Sequence, residues 1–431
     1  MEYPWPSLLA ARAPTIPEIL LTLAVAILAF MFWRLSRHQE CHYEGEPEGR
    51  IDTSLRALAG STHSRLTPGN RFELIQDEAF FDAIDQAIRS ARHTIHLETF
   101  LWEKGEAATL VAHCLEEASR RGVQVRLLLD AVGSKNACPD QLRNLRQAGA
   151  TVRRFRRIEI ANLGRWNVRD HRKILVIDGH TAFIGGHCIT DSWFKDGPKL
   201  PRFRDLSACI TGPIVAEIQS CFFENWTENT GELFVDDTTF PPLKAQGDTL
   251  MHLAYVKADQ SPSSVQVLHH LSIAYAKERI RIQNPYFIPD KTASDALARA
   301  ARRGVDVRIM IPAHEATDSP IAERAGHHAI RGLLEAGVRV FFYQKTLIHQ
   351  KVIVIDGLWA GIGSSNFDDR SFEINDELTL GIADTTIAHQ LETIFENDLQ
   401  ECREVDLETW KNRPLFNKLL DGAIHLFNEQ F

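Results

Sequence analysis

Residues 171–186 read HRKILVIDGHTAFIGG, and residues 349–366 read HQKVIVIDGLWAGIGSSN. Both stretches carry H-x-K-x-x-x-x-D, once as His171, Lys173 and Asp178 and once as His349, Lys351 and Asp356. In each, an apolar β-forming run follows the lysine and meets Asp-Gly, a strong hairpin-turn signal, before a second run ends in glycine. Residues two apart on a strand share a face, so each histidine points the same way as its lysine. Asp178 and Asp356 fall on the opposite parity, directly before Gly179 and Gly357. They complete the repeated pattern and so count among the candidate catalytic residues, but turn chemistry favours a structural role for them.

Outward from the hairpins the chain is duplicated. RRGVQVRLLLD (120–130) matches RRGVDVRIMIP (302–312), QAGATVRRF (147–155) matches EAGVRVFFY (335–343), and TIHLETFLW pairs with RIRIQNPYFIP. The spacing predicts that each half runs helix, strand, helix, strand, helix, strand, hairpin. Nearly all-apolar strands such as VRLLL and VRIMI belong in a sheet with helices on both faces, an α/β sandwich built twice. The polar, turn-rich stretch ENTGELFVDDTTFPPLKAQGD reads as the linker between the halves. The expected division is 1–45 membrane anchor and linker, 46–235 first half, 236–403 second half and 404–431 amphipathic tail. The first half holds an insert, RRIEIANLGRWNVRD, with Arg156, Arg157, Arg165, Trp166 and Arg169. It reads equally well as a headgroup-contacting rim or as a solvated basic loop. In the tail, Leu415, Phe416, Leu419, Leu420, Ala423, Ile424 and Phe427 form one helical stripe. Packing against the body is the default expectation, and lying on a membrane surface is the alternative.

The chain has 431 residues, 44% of them hydrophobic, and a formal net charge of −9. That length supports two ordinary cores, and the acidic balance argues against a dedicated nucleic-acid binder. The seven cysteines lack C-x-x-C pairs and read as reduced thiols. From Ile16 to Trp33, extended to Leu35, the sequence is apolar apart from Glu18 and Thr22, with Arg34, Arg37 and His38 directly after. That pattern predicts a single membrane-spanning helix with the large C-terminal part on the cytoplasmic side.

A single histidine on a half-buried strand is usually a packing residue, and this chain has 18. Repetition at the same step, while the neighbours change, argues for function. A neutral imidazole can attack phosphorus while a second, protonated one donates to the departing alkoxide. Lys173 and Lys351 would hold the non-bridging oxygens, so no metal or other cofactor is expected. An attacking imidazole needs its remote nitrogen oriented, usually by a carboxylate. Asp205 and Glu377 each open an apolar strand after their own hairpin, Asp205 34 residues beyond His171 and Glu377 28 beyond His349. Ser364 and Asn366 are candidate donors to a phosphate oxygen. The first copy has Cys188 where the second has Asn366, and thiols donate weakly, so the two half-sites are unequal. His187 reads as local packing.

At these residues the chain resembles the phospholipase D superfamily, and within it the bacterial cardiolipin synthase type. The likeness runs from about Asn70 to Asp398 and includes NPYFIPD, IHQKVIVIDG and GSSNFDDRSFEINDE. It implies a monomeric pseudo-dimer with one site between the halves, lined by His171, Lys173, His349, Lys351 and Asn366, with Asp205 and Glu377 behind the histidines. The implied reaction moves a phosphatidyl group from phosphatidylglycerol to a second lipid, phosphatidylglycerol or phosphatidylethanolamine. By analogy His171 is the nucleophile and His349 the acid/base, while the pseudo-symmetry leaves the reverse open. The same site suits a lipid hydrolase or, against the charge balance, a nuclease or phosphodiesterase. A membrane-anchored binding protein with a dead site is the non-catalytic reading.

Overall fold

The computed structural model describes residues 15–35, 43, 45, 47–157, 167–198, 200–234, 236–257 and 263–425, with the backbone alone for 26 and 29–35. The chain divides into two compact units, Met1–Glu40 and Cys41–Phe431. In the first, the apolar stretch forms helix α1 (Ile16–Leu35), opened by Glu18 accepting the Thr15 amide at 2.7 Å. Among the described residues no helix is long and apolar enough to cross a membrane. The stretch expected to span a membrane forms a 20-residue helix.

The second unit begins with α2 (Leu55–Ser61). The first half then contributes strands β1 (Thr67–Gln76), β2 (Thr94–Thr99), β3 (Gln124–Asp130), β4 (Thr151–Phe155), β5 (Ile174–Ile177), β6 (Thr181–Gly185) and β7 (Leu206–Thr211). Its helices are α3 (Ala79–Ser90), α4 (Glu106–Arg120), α5 (Pro139–Gln147), the single turn α6 (Asp191–Phe194) and α7 (Val215–Thr230). The second half repeats this with β8 (Thr249–Val256), β9 (Arg279–Gln283), β10 (Phe287–Ile288), β11 (Asp306–Pro312), β12 (Arg339–Tyr343), β13 (Val352–Ile355), β14 (Trp359–Gly363), β15 (Phe367–Asp368), β16 (Glu377–Ala383) and β17 (Cys402–Glu404). Its helices are α8 (Ser264–Tyr275), α9 (Lys291–Arg302), α10 (Pro320–Glu335) and α11 (Thr385–Asp398), followed by α12 (Leu407–Lys411) and α13 (Leu415–His425).

Fifteen strands make one sheet in the order β17-β12-β11-β9-β13-β14-β16-β8-β1-β7-β6-β5-β2-β3-β4. Read outward from the β8–β1 junction, the two halves repeat the same order. Within each, two parallel pairs (β2–β3–β4, β9–β11–β12) meet an antiparallel hairpin (β5–β6, β13–β14). The periodicity thus predicts the body of each half. It misses β1 and β8, whose antiparallel pairing, Thr67 opposite Met251 and Asn70 opposite Thr249, joins the halves. The linker is also shorter than its composition suggests, since its first three residues complete α7.

The core follows from strand parity. Leu175 and Ile177 face the helices α3, α4 and α5, whereas Ile174 and Val176 face α7 in a cluster that also holds Val352, Val354 and residues of α11. That second cluster spans both halves, so the duplicated domains share a core. Each fully buried Val, Leu or Ile in it contributes roughly 1.5–3 kcal/mol of apolar burial. The six described cysteines are free thiols, and Cys41 lies outside the described residues.

Candidate active site

Two short bridges across the halves set the site. Asp170 pairs with Asp376, and Arg204 pairs with Ile348. Each bridge lies one residue before a histidine on one side and one residue before a carboxylate on the other. The His171 amide donates to the Asp376 carbonyl at 3.0 Å and the His349 amide to the Arg204 carbonyl at 2.7 Å. The consequence is a crossed arrangement. His171 Nδ1 lies 2.8 Å from Glu377 Oε1, and His349 Nδ1 lies 2.8 Å from Asp205 Oδ2. Glu377 and Asp205 therefore each lie against a motif histidine, and each comes from the half opposite to that histidine.

All four side chains are buried; His171 is 8% exposed and His349 5%. Burial, followed by the charges of Lys173 and Lys351, holds the His171 imidazole well below its ordinary range. His349 is lowered in the same way, by burial and then by Lys351 and Lys173. Each lysine thus bears on both rings, the electrostatic mark of two motifs converging. Burial also raises the carboxyls, Glu377 to about 8 and Asp205 above its usual range, and lowers Lys351 to about 7. Low-lying imidazoles beside high-lying carboxyls leave both partners uncharged, and a ring Nδ1–H donating to the carboxyl oxygen leaves the other ring nitrogen its lone pair. Lys173 Nζ donates to the His171 carbonyl at 2.6 Å, and Lys351 Nζ to the His349 carbonyl at 2.8 Å. Lys351 Nζ also sits 3.0 Å from His349 Nε2.

The motif aspartates are elsewhere. Asp178 and Asp356 have φ of 51° and 55° and are followed by Gly179 at 65° and Gly357 at 66°. Two successive positive φ values are what a two-residue hairpin turn requires. Asp178 accepts the amides of Arg92, His93 and Thr94; Asp356 accepts those of Lys277, Glu278 and Arg279. Their place among the candidate catalytic residues is corrected accordingly: they pin the hairpin to the start of β2 or β9.

Ser364 needs a second correction. Its hydroxyl donates to Glu377 Oε2 and accepts from the Leu378 amide, so it holds the carboxylate instead of offering a bond to phosphate. Asn366, 7% exposed, keeps the predicted opportunity through its side-chain NH₂, the group of the amide that can donate to a phosphate oxygen. Its loop is fixed by Asn284, which accepts the Phe367 amide at 3.1 Å, and by the short β10–β15 pair. Cys188 is 1% exposed, and its Sγ lies 4.0 Å from the Gly186 carbonyl. His187 bonds Ser207 and the Asp77 carbonyl and stacks on Phe80 at 4.5 Å, a packing residue as expected.

Sequence reasoning misses the aromatic lining. Trp193 Nε1 donates to Asp205 Oδ2 at 2.7 Å, and its ring meets that of His349 edge-on at 4.9 Å. Phe100 packs against His171 at 5.0 Å and lies under Lys173. The only sequence signal for Trp193 is a large aromatic between hairpin and carboxylate. Parts of the basic insert are also reassigned. Arg156 makes a buried pair with Asp376 at 2.7 Å, and Arg169 lies 3.6 Å from Asp130 with its amide donating to Asn375. These two arginines tie the halves together and form no rim. Arg157 is exposed, while Arg165 and Trp166 lie outside the described residues. Among the described residues no cluster of three or more His, Cys, Asp or Glu is arranged to hold a metal ion.

The family model described as "Cardiolipin synthase, PLD-like domain" matches residues 84–197 and 271–399, one span in each half. The chain belongs to the cardiolipin synthase family of the phospholipase D superfamily. It is 34% identical to a cardiolipin synthase of Geobacillus kaustophilus, over 82% of this chain and 71% of that one. It is 35% identical to cardiolipin synthase A of Pseudomonas putida, over 84% of this chain and 75% of that one. The fold matches the crystal structure of a phosphatidylserine synthase from Haemophilus influenzae at a TM-score of 0.66, covering 88% of this chain and all of that one. At 15% identity that likeness concerns the fold alone.

Proposed function

We propose that this chain is a phosphatidyltransferase that makes cardiolipin from phosphatidylglycerol through a phosphohistidine. The observation that supports it most is the crossed pair of buried histidine–carboxylate contacts, each with a lysine two residues on. In the first step the free Nε2 lone pair of His171 attacks phosphorus, the P–O bond to the headgroup glycerol breaks, and the leaving oxygen takes a proton from the His349 side. In the second step the hydroxyl of the acceptor lipid gives its proton back to His349 and displaces His171. The assignment of His171 as nucleophile rests on Lys351, whose Nζ sits 3.0 Å from both ring nitrogens of His349 and whose charge disfavours attack from that ring. Lys173, Lys351 and Asn366 hold the phosphate oxygens. The site works as one unit within a single chain.

The membrane supplies both lipids. In this reading α1 (Ile16–Leu35) is the anchor and the catalytic part is cytoplasmic. The tail adds a second contact. Helix α13 docks on α10 through Asp421, which pairs with Arg324 at 3.1 Å, yet Leu415, Phe416 and Leu419 are 69%, 73% and 65% exposed. Packing on the body thus accounts for only part of the predicted stripe, and Phe427 lies outside the described residues. An apolar ridge beside Lys411 and Lys418 suits a lipid surface.

The test is turnover of labelled phosphatidylglycerol by the full-length protein in vesicles. Cardiolipin with released glycerol is expected. Phosphatidic acid alone would make the protein a hydrolase, and cleavage of single-stranded DNA without lipid turnover would overturn the lipid reading.

A further inference from the structure

Away from the histidines, a cavity of about 600 Å³ lies between residues 43–61 and the outer helices α8 and α9. None of its lining residues belongs to the candidate active site. Its floor is apolar, made by Val267, Leu271, Ala274 and Ala296, and its wall carries Lys277, Arg299 and Arg303 against a single acid, Glu48. That volume is in the range of pockets that take small ligands.

Two features separate it from an ordinary solvated groove. Most arginines of the second half's sheet are paired: Arg279 with Glu392 at 2.6 Å, Arg281 with Asp306 at 2.7 Å, Arg339 with Glu404 at 2.7 Å. Arg299 and Arg303, facing the cavity, have no side-chain hydrogen bond or ion pair among the described residues. The second feature is His270. It is 7% exposed, its ring lies 4.9 Å from that of Tyr43, and its Nε2 is buried without a partner. Two guanidiniums without a protein partner on the wall of one cavity are an arrangement suited to an anion. Guanidinium groups match phosphate oxygens in geometry as well as charge. The apolar floor directly beside them calls for a hydrocarbon attached to that anion.

We propose that this cavity is a second lipid site, holding the phosphate of an anionic phospholipid on Arg299 and Arg303, beside the His270 ring, and the start of its acyl chain on Leu271, Ala274 and Ala296. A free phosphate would use the guanidiniums but leave the floor uncovered, so the lipid is the occupant the whole lining fits. Lys277, already bonded to the Pro47 carbonyl at 2.8 Å, fixes the far wall.

The test titrates dihexanoyl phosphatidic acid, as monomers, into the full-length protein in dodecyl maltoside and reads binding by calorimetry. Arg299→Glu with Arg303→Glu should weaken binding by at least about tenfold. Turnover of phosphatidylglycerol measured without the added lipid should stay within about twofold of the parent, since both positions are exposed and outside the catalytic machinery. Ala274→Trp, which fills the floor, should weaken binding while leaving the cations in place. Dihexanoyl phosphatidylcholine, with its charge balanced, should bind more weakly than the acid. An isotherm unchanged by the double substitution overturns the proposal. So does inorganic phosphate binding as tightly as the lipid, or an Ala274→Trp variant that folds and binds normally, since either would make this a free-phosphate site.

Discussion

The two half-sites share a plan and differ in how each carboxylate is held. Glu377 reaches His171 with one oxygen and takes the Ser364 hydroxyl on the other. Asp205, one methylene shorter, receives His349 and the Trp193 indole on one oxygen and the Leu206 amide on the other, at 2.8, 2.7 and 2.8 Å. Where the second half has Ser364, the first has Gly186, and a Cβ there would collide with the Asp205 carboxylate. The longer acid needs a hydroxyl to steady it. The shorter one sits so close to the backbone that it tolerates nothing. A duplicated fold has thus arrived at one task by two packings, and Asn366 facing Cys188 extends the inequality to the phosphate contacts.

The largest effect tests whether the two histidines are different at all. His171→Ala and His349→Ala should each reduce transfer by roughly 10⁴-fold or more, as loss of one member of a cooperating catalytic set does. A substrate with a good leaving group should still load phosphorus onto His349→Ala but not onto His171→Ala. Acid-labile label on His349 in the His171→Ala variant would reverse the roles.

Next come the carboxylates. Every contact that Asp205 makes is to a donor, so in Asp205→Asn the new amide NH₂ must face another N–H, and the ring of His349 loses its fixed tautomer. Glu377→Gln can turn its NH₂ toward Ser364, whose hydroxyl also accepts. A loss on the order of 10⁴-fold is expected for Asp205→Asn and about 10²–10³-fold for Glu377→Gln, measured as kcat/KM. Equal losses would mean that charge alone matters and the packing difference is irrelevant.

Much of this was legible before any coordinates. The parity of His171 and Lys173, the Asp-Gly turns and the carboxylates at strand starts all follow from spacing, because local geometry repeats wherever a hairpin repeats. The crossing was not legible. Residue counts run along the chain, and they measured Asp205 from His171 and Glu377 from His349, whereas the bridges Asp170–Asp376 and Arg204–Ile348 pair each acid with the other half's histidine. Ser364 was misread for a related reason: a hydroxyl near a phosphate site and a hydroxyl bonded to the orienting carboxylate look alike in sequence. The insert misled through composition, since Arg156 and Arg169 look like surface charge and are buried ties. The junction strand β1 escaped because it alternates between buried and exposed positions and lacks the apolar runs that marked the rest, and β8, though mostly buried, follows directly on the polar linker.

The reciprocal exchange of Gly186 and Ser364 probes the packing difference directly. Gly186→Ser should push Asp205 off His349 and cost about 10²-fold in kcat, while the folded protein remains soluble. Ser364→Gly removes one hydrogen bond from a carboxylate that keeps His171, a loss of about tenfold, in line with the 1–3 kcal/mol at stake in one buried charged bond. If Ser364→Gly proves the more damaging of the two, the hydroxyl is catalytic in its own right.

The smallest effect is thermodynamic and reads the protonation of the pair. Burial lifts the Glu377 carboxyl to about 8, against an ordinary value of 4.5, so the folded state binds more protons than the unfolded one between those pH values. A raised carboxyl therefore favours folding at low pH, and that contribution is lost as pH rises through about 8. Glu377→Gln removes the dependence. The difference in melting temperature, variant minus parent, should become steadily more positive from pH 5.5 to 7. Asp205→Asn should move the same way, since Asp205 is raised by burial as well. Lys351, lowered to about 7, works in the opposite direction above pH 7, but it is present in parent and variant alike and drops out of the difference. A difference that stays constant from pH 5.5 to 7 would mean that Glu377 is already an anion paired with a protonated His171. The same ring then could not open the reaction as a nucleophile, and the first attack would pass to His349.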